Sequence, residues 1–308
     1  MTTTLRHGLL GLLFLAATGA SSAAHATGTP ACADIAARWA AEKSELQTMQ
    51  VGALLLGASD NGCTDLVETL LAGGALLEAQ DRFGNAALAH AARENRLEVM
   101  TLLLARGANV QHQNVAGSSA LFVAIDKHHP QAAALLIEHG ANPDAPGRSG
   151  VTPLAAAAYA GEDATVAMLL AHHADPRIAD RTGKTPIVYA AARGRPGIVK
   201  QLLAAGVDIN ARYENDLTAL MWAAGHADGV PLPDGVAAVT LLLGGGARVD
   251  DADNRGRSAL MIAAERGHAE IVKLLLAHGA NAGLHDKDGK SALDLAADAA
   301  VRAALQPG

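Results

Sequence analysis

Aromatic residues are nearly absent. Two Trp, three Tyr and three Phe make up 3% of the 308 residues, so any core must be built from Ala, Leu and Val. Cysteine is scarcer still, at two residues. No Cys-x-x-Cys occurs and nothing marks a paired base, so a catalytic Cys is not expected. Basic charge is also short: the net charge is −7 with no long basic run, which makes nucleic acid a poor partner. The N-terminal apolar run, Gly8–Ala20, is too short to span a bilayer. Half of the residues are nevertheless apolar, which excludes a disordered chain.

The first residues read as an export signal rather than as part of the fold. Arg6 lies in a charged start, Gly8–Ala20 is a hydrophobic middle, and Ala24-His25-Ala26 is a small-x-small cleavage site. Residues 1–26 are therefore expected to be a signal peptide cut after Ala26, placing the mature chain in the periplasm or outside the cell. There is no twin arginine, and the residues before Cys32 do not form a lipoprotein box. Loss of Arg6 takes the net charge from −7 to −8. In an oxidising compartment two cysteines favour pairing. A Cys32–Cys63 disulfide tying an N-terminal helix to the first repeat is expected, with two buried free thiols as the alternative.

What is abundant is self-similarity. Copies begin at Asp81, Asn114, Gly147, Asp180 and Tyr213, each 33 residues after the last; the next starts at Asp253, 40 on, and another at Asp286. Asp-x-x-Gly supplies a tight turn. Thr-Pro-Leu or Ser-Ala-Leu then opens a short helix, with a hydroxyl to cap free N–H groups and Pro tolerated at its first position. A second helix such as Glu270–Leu276 is apolar at helical spacing, and Gly279 ends it. One copy cannot bury its apolar face alone, so stacking must supply the core.

These residues resemble the ankyrin repeat. The resemblance runs from about Thr48 to Leu305 and rests on Gly-Lys-Thr-Pro at Gly183–Pro186, Gly-His-Ala-Glu-Ile-Val at Gly267–Val272, and recurrent Gly-Ala-Asn-like helix endings. The His that the family carries after Thr-Pro-Leu is missing: Ala155 and Val188 stand there. The implied fold is an all-α solenoid of helix-turn-helix repeats with β-turn or hairpin fingers. Repeats are expected near 48–80, 81–113, 114–146, 147–179, 180–212, 213–252 and 253–285. Residues 27–47 form an N-terminal capping segment and 286–308 a C-terminal cap.

The copy from Tyr213 carries seven extra residues, placed near Asp228–Asp234 (Asp228, Val230, Pro231, Leu232, Pro233, Asp234). The piece falls between two helices and is expected to loop out, because lengthening a loop costs only about 0.6 kcal/mol per doubling. It is read either as a contact loop or as a tolerated insertion.

Catalytic signatures fail on inspection. Gly183–Thr185 and Gly289–Ser291 look like phosphate loops, but the required upstream Gly is Ile178 or Leu284. His139, His172 and His278 share one repeat position, and no His-Glu-x-x-His or Gly-x-Ser-x-Gly occurs. The Asp residues that open the copies are turn formers. No enzyme activity, cofactor or metal is expected.

The resemblance implies a concave face of turn tips and inner helices where partners bind. On it fall Arg82, Phe83, Arg148, Tyr159, Arg181, Lys184, Arg193, Arg255 and Arg257. They suggest a basic face with Arg anchors and apolar contacts, with solvated tips as the alternative. Tyr189 and Trp222 share a position read as core. The expected function is a non-enzymatic, monomeric protein-binding module or scaffold whose partner is another exported protein. No nucleic acid is expected to bind, and no membrane once the signal is removed. The competing reading is an inhibitor or immunity protein that blocks a periplasmic toxin or hydrolase.

Overall fold

A computed structural model describes residues 29–227 and 229–306. The expected signal peptide (residues 1–26) and Asp228 lie outside the described residues. Seventeen α-helices occur among the described residues: α1 (Pro30–Glu42), α2 (Thr48–Asn61), α3 (Thr64–Ala72), α4 (Ala87–Arg93), α5 (Leu97–Ala105), α6 (Ala120–Asp126), α7 (Pro130–Glu138), α8 (Pro153–Ala160), α9 (Asp163–Ala171), α10 (Pro186–Ala192), α11 (Pro196–Ala204), α12 (Ala219–Ala224), α13 (Leu232–Gly244), α14 (Ala259–Glu265), α15 (Ala269–Ala277), α16 (Ala292–Leu295) and α17 (Ala299–Leu305). They form two layers. The first helix of each repeat packs on its counterparts (α2, α4, α6, α8, α10, α12, α14, α16), and α3, α5, α7, α9, α11, α13, α15 and α17 make the second layer.

Small residues make this stacking feasible. Ala91, Ala157, Ala158, Ala190, Ala191, Ala223, Ala263 and Ala264 are fully buried, so inner helices approach with little between their backbones. Leu121, Leu154, Ile187 and Leu202 fill the space between layers. An inner helix of about seven residues is too short to hold itself together. Its first turn is fixed by a cap instead: Ser119, Thr152, Thr218, Ser258 and Ser291 each accept a bond from an amide three residues on.

Between repeats lie seven fingers, at 81–85, 114–118, 147–151, 180–184, 213–217, 253–257 and 286–290. Among the described residues they form no strands, only isolated antiparallel bridges such as Gln80–Ala86, Gln113–Ser119 and Ala252–Ser258. At the N-terminal end, Cys32 in α1 and Cys63 ahead of α3 are joined by a disulfide, with Cα atoms 5.7 Å apart. No described helix is long and apolar enough to cross a membrane.

The seven extra residues do not simply loop out. Leu232, Pro233 and Asp234 form the first turn of α13, which has 13 residues where α11 and α15 have 9. Pro231 and Pro233 suit a helix start, where N–H groups lack intrahelical partners. The remaining stretch leans on the preceding repeat: Ala227 N donates to Ala192 O at 3.0 Å, and Val230 packs against Gly194 so closely that a Cβ there would lie 2.5 Å away. Buried His226 stacks on His268 with ring centroids 4.0 Å apart.

Candidate functional site

Five fingers open with Asp or Asn and clasp themselves. The Oδ1 atom of Asp81 accepts from the Phe83 and Asn85 amides, Asn114 from Ala116 and Ser118, Asp180 from Thr182 and Lys184, Asp253 from Arg255 and Arg257, and Asp286 from Asp288 and Lys290, all at 2.7–3.1 Å. Such a turn needs a short polar side chain at its first residue. Gly147 and Tyr213 cannot supply one. Their fingers close as 3-10 turns, Arg148–Gly150 and Glu214–Asp216, with Ser149 and Asn215 at φ 61° and 60°.

The difference reaches neighbouring fingers. Val115 N donates to Phe83 O, Arg181 N to Ser149 O, Asn254 N to Asn215 O and Lys287 N to Arg255 O, at 2.9–3.1 Å. Among the described residues no backbone bond joins the second finger to the third, or the fourth to the fifth. The missing bonds are those that Arg148 and Glu214, next in chain to Gly147 and Tyr213, would donate. The second break is bridged by side chains: Lys184 Nζ lies 3.0 Å from Glu214 Oε2 and 5.7 Å from the centre of the Trp222 ring.

Among the described residues no hydrogen bond or ion pair bridges the first break. Phe122 fills the room beside Gly147, where a Cβ would lie within 2.5 Å of its ring. Next to it lies an open groove of about 500 Å³. Phe122, Val151, Ala155 and Tyr159 wall it, and Arg148, Arg193 and Arg195 line it. The Arg193 guanidinium lies 4.8 Å from the centre of the Tyr159 ring, which meets Tyr189 edge-on at 5.9 Å and 89°. Tyr189 donates its hydroxyl to Asp180. Burial raises the Asp180 carboxyl, but the hydroxyls of Tyr189 and Thr182 and the amides of Lys184 and Thr182 outweigh it, leaving the group below its ordinary value. Burial, and then the bond to Asp180, pushes the Tyr189 phenol up, so the ring stays a neutral donor.

The sequence candidates do not form one surface. Arg148, Tyr159 and Arg193 meet in the groove. Arg82 covers its own neighbour Phe83, at 4.6 Å from the ring centre, and Phe83 is 55% exposed. Arg181 and Arg255 stand exposed on separate fingers. Lys184 is taken by Glu214. Arg257 is clamped by Asp253 and Glu265, each at 2.9 Å, with 15% of its side chain exposed. It is therefore a fastener of its finger rather than a free anchor. Of the insertion residues, Leu232 is 48% exposed.

Trp222 is partly buried and packs against the core, whereas Tyr189 is partly exposed and lines the groove. Tyr189 was hidden because Ile262 and Leu295, at the equivalent repeat position, read as ordinary helix packing. Arg195 and Phe122 were missed as well. The available signal was the loss of Asp or Asn at Gly147, which marks a finger without a side-chain clasp.

Models of ankyrin repeats match residues 54–147 and 154–232 (three copies) and 241–296 (many copies). The chain belongs to the ankyrin repeat family. No curated protein matches it significantly. Ankyrin repeats are in general protein–protein interaction modules rather than enzymes. Among the described residues of this ankyrin repeat protein, no group of three or more His, Cys, Asp and Glu side chains is placed to hold a metal ion.

Proposed function

We propose that this protein is an exported, non-enzymatic binding module that holds a partner protein on the face formed by its fingers and inner helices. The observation that carries the reading is the groove beside the third finger. There an exposed aromatic ring, Tyr159, and three arginines without ion-pair partners stand together in a chain of net charge −7. Aromatic and Arg side chains in a concave setting are what protein interfaces use as anchors. Export is supported by the signal-like pattern of residues 1–26 and by the Cys32–Cys63 disulfide, which suits an oxidising compartment.

The test is site-specific photocrosslinking in the exporting cell. A photoreactive residue at Ala156, in the groove, should yield a discrete crosslinked species, whereas one at exposed Thr101 on α5 should not. Equal labelling at both positions, or none at Ala156, removes the reading. Mass spectrometry of the mature N-terminus should show a start at Thr27; an intact Met1 would overturn export. If the captured partner is an enzyme that loses turnover, the module acts as an inhibitor.

A further inference from the structure

We propose that the groove beside the third finger, along α6, α8 and α10, recognises an acidic side chain of the partner, presented on an extended segment next to an aliphatic residue. This rests on the binding-module reading and adds the chemistry of the contact.

Charge is the first support. Arg148, Arg193 and Arg195 line the groove, and among the described residues no carboxylate lies within ion-pairing distance of any of them. Elsewhere several arginines are neutralised, Arg93 by Asp60, Arg106 by Glu68, Arg212 and Arg248 by Asp251 and Arg257 by Asp253, and the unpaired ones such as Arg181 and Arg255 stand on separate fingers rather than together. The one carboxylate lining the groove, Asp126, sits 3.7 Å from Lys127, and the His128 there is held by Glu162 at 2.5 Å. Three clustered cations between low-dielectric walls focus a positive potential.

Preorganisation is the second. Arg193 lies against the Tyr159 ring, so its planar fork is already oriented. An oriented guanidinium matches a carboxylate, which accepts two parallel N–H bonds. Arg195 occupies room that Gly161 leaves, since a Cβ there would lie 2.5 Å from its Nε, and its guanidinium donates to the Ala160 carbonyl at 3.5 Å.

Shape is the third. Phe122, Val151, Ala155 and Tyr159 make the rest of the wall apolar. A volume of about 500 Å³ is larger than a carboxylate needs, leaving room for an apolar neighbour. The third finger, which has no side-chain clasp and no backbone bond to the second among the described residues, forms one side of the space.

The probe is an end-capped heptapeptide, Gly-Ser-Glu-Leu-Glu-Ser-Gly, titrated against the full mature chain alongside its counterpart with both Glu replaced by Gln. The Glu peptide should bind at least fivefold more tightly. Arg193→Gln and Arg148→Gln should each abolish that preference, while Lys200→Gln on α11 should leave it unchanged. Circular dichroism confirms that each variant is folded, and Arg148 is exposed enough to be replaced without disturbing the core. Equal binding of the two peptides, no binding of either, or an unchanged preference in folded Arg148→Gln would overturn the proposal. So would glutarate binding as tightly as the peptide, which would make this a small-anion site. If these tests fail while the Ala156 crosslink persists, the acidic chemistry falls and the binding-module reading stands; loss of that crosslink removes the binding-module reading itself.

Discussion

The third and sixth fingers occupy equivalent places in their repeats and do opposite things with their arginines. In the sixth, Asp253 is buried and accepts from the amides of Arg255 and Arg257, while its second oxygen takes the Arg257 guanidinium. In the third, Gly147 accepts nothing through a side chain, Phe122 moves into the room beside it, and Arg148 is left pointing to solvent. The residue at the start of a finger thus decides whether the finger has a side-chain clasp and whether an arginine at its last position, as Arg257 in the sixth, is taken up by that clasp. The fifth finger is intermediate: Tyr213 also fails to clasp, but Lys184 and Glu214 tie it to its neighbour.

The largest effect should come from breaking the sixth finger. Asp253→Ala leaves Arg257 half-satisfied in a mostly buried setting and should cost about 3 kcal/mol, read by chemical denaturation. The same change at half-buried Asp286, which holds no guanidinium, should cost only about 1 kcal/mol, the value of ordinary hydrogen bonds. Equal losses would show that burial of the clasp is irrelevant.

Overfilling the third finger comes next. Gly147→Val sets a branched side chain into the Phe122 ring and should destabilise by roughly 1–3 kcal/mol. Combined Gly147→Asp and Phe122→Ala should instead convert the third finger to the clasped kind. The Arg148 amide, which has no backbone partner on the second finger, should then gain hydrogen-exchange protection, and the groove should close. If protection does not rise, the residue opening the finger is not what sets its geometry.

The smallest effect is on pH. The Asp180 carboxyl lies below its ordinary value of 3.8 in the folded chain, burial being outweighed by the bonds from Tyr189, Thr182 and Lys184. Its contribution to stability is therefore complete above about pH 5 and is lost as the pH falls through and below 3.8. Acid should loosen the fourth finger, seen as faster exchange of the Lys184 amide, and Asp180→Asn should remove that dependence. The third finger, lacking a carboxylate at Gly147, should not respond in this way.

The repeat was legible because its signals are local. Asp opening a turn, Gly at a left-handed position and Thr-Pro entering a helix each act within a few residues, and they recur in register. The Cys32–Cys63 pair was legible from the even cysteine count together with the expected compartment. The groove was not, because it depends on what lies one repeat away. Arg257 is held by Asp253 and by Glu265 from the following helix, whereas no carboxylate among the described residues pairs with Arg148. Tyr189 looked like packing because its equivalents, Ile262 and Leu295, are apolar. The seven-residue insertion was visible as length, but its division between a docked turn and an added helical turn depends on Val230 meeting Gly194.

The two missing fingertip bonds leave the molecule jointed. Helix packing runs on unbroken through both places, so a bending load opens the fingertips there first and turns the helical layer into a hinge pin. One joint has a clasp of opposite charges across it; the other is the groove. A segment lodged in that groove would press against both sides of the joint, so holding cargo and stiffening the rod become a single event.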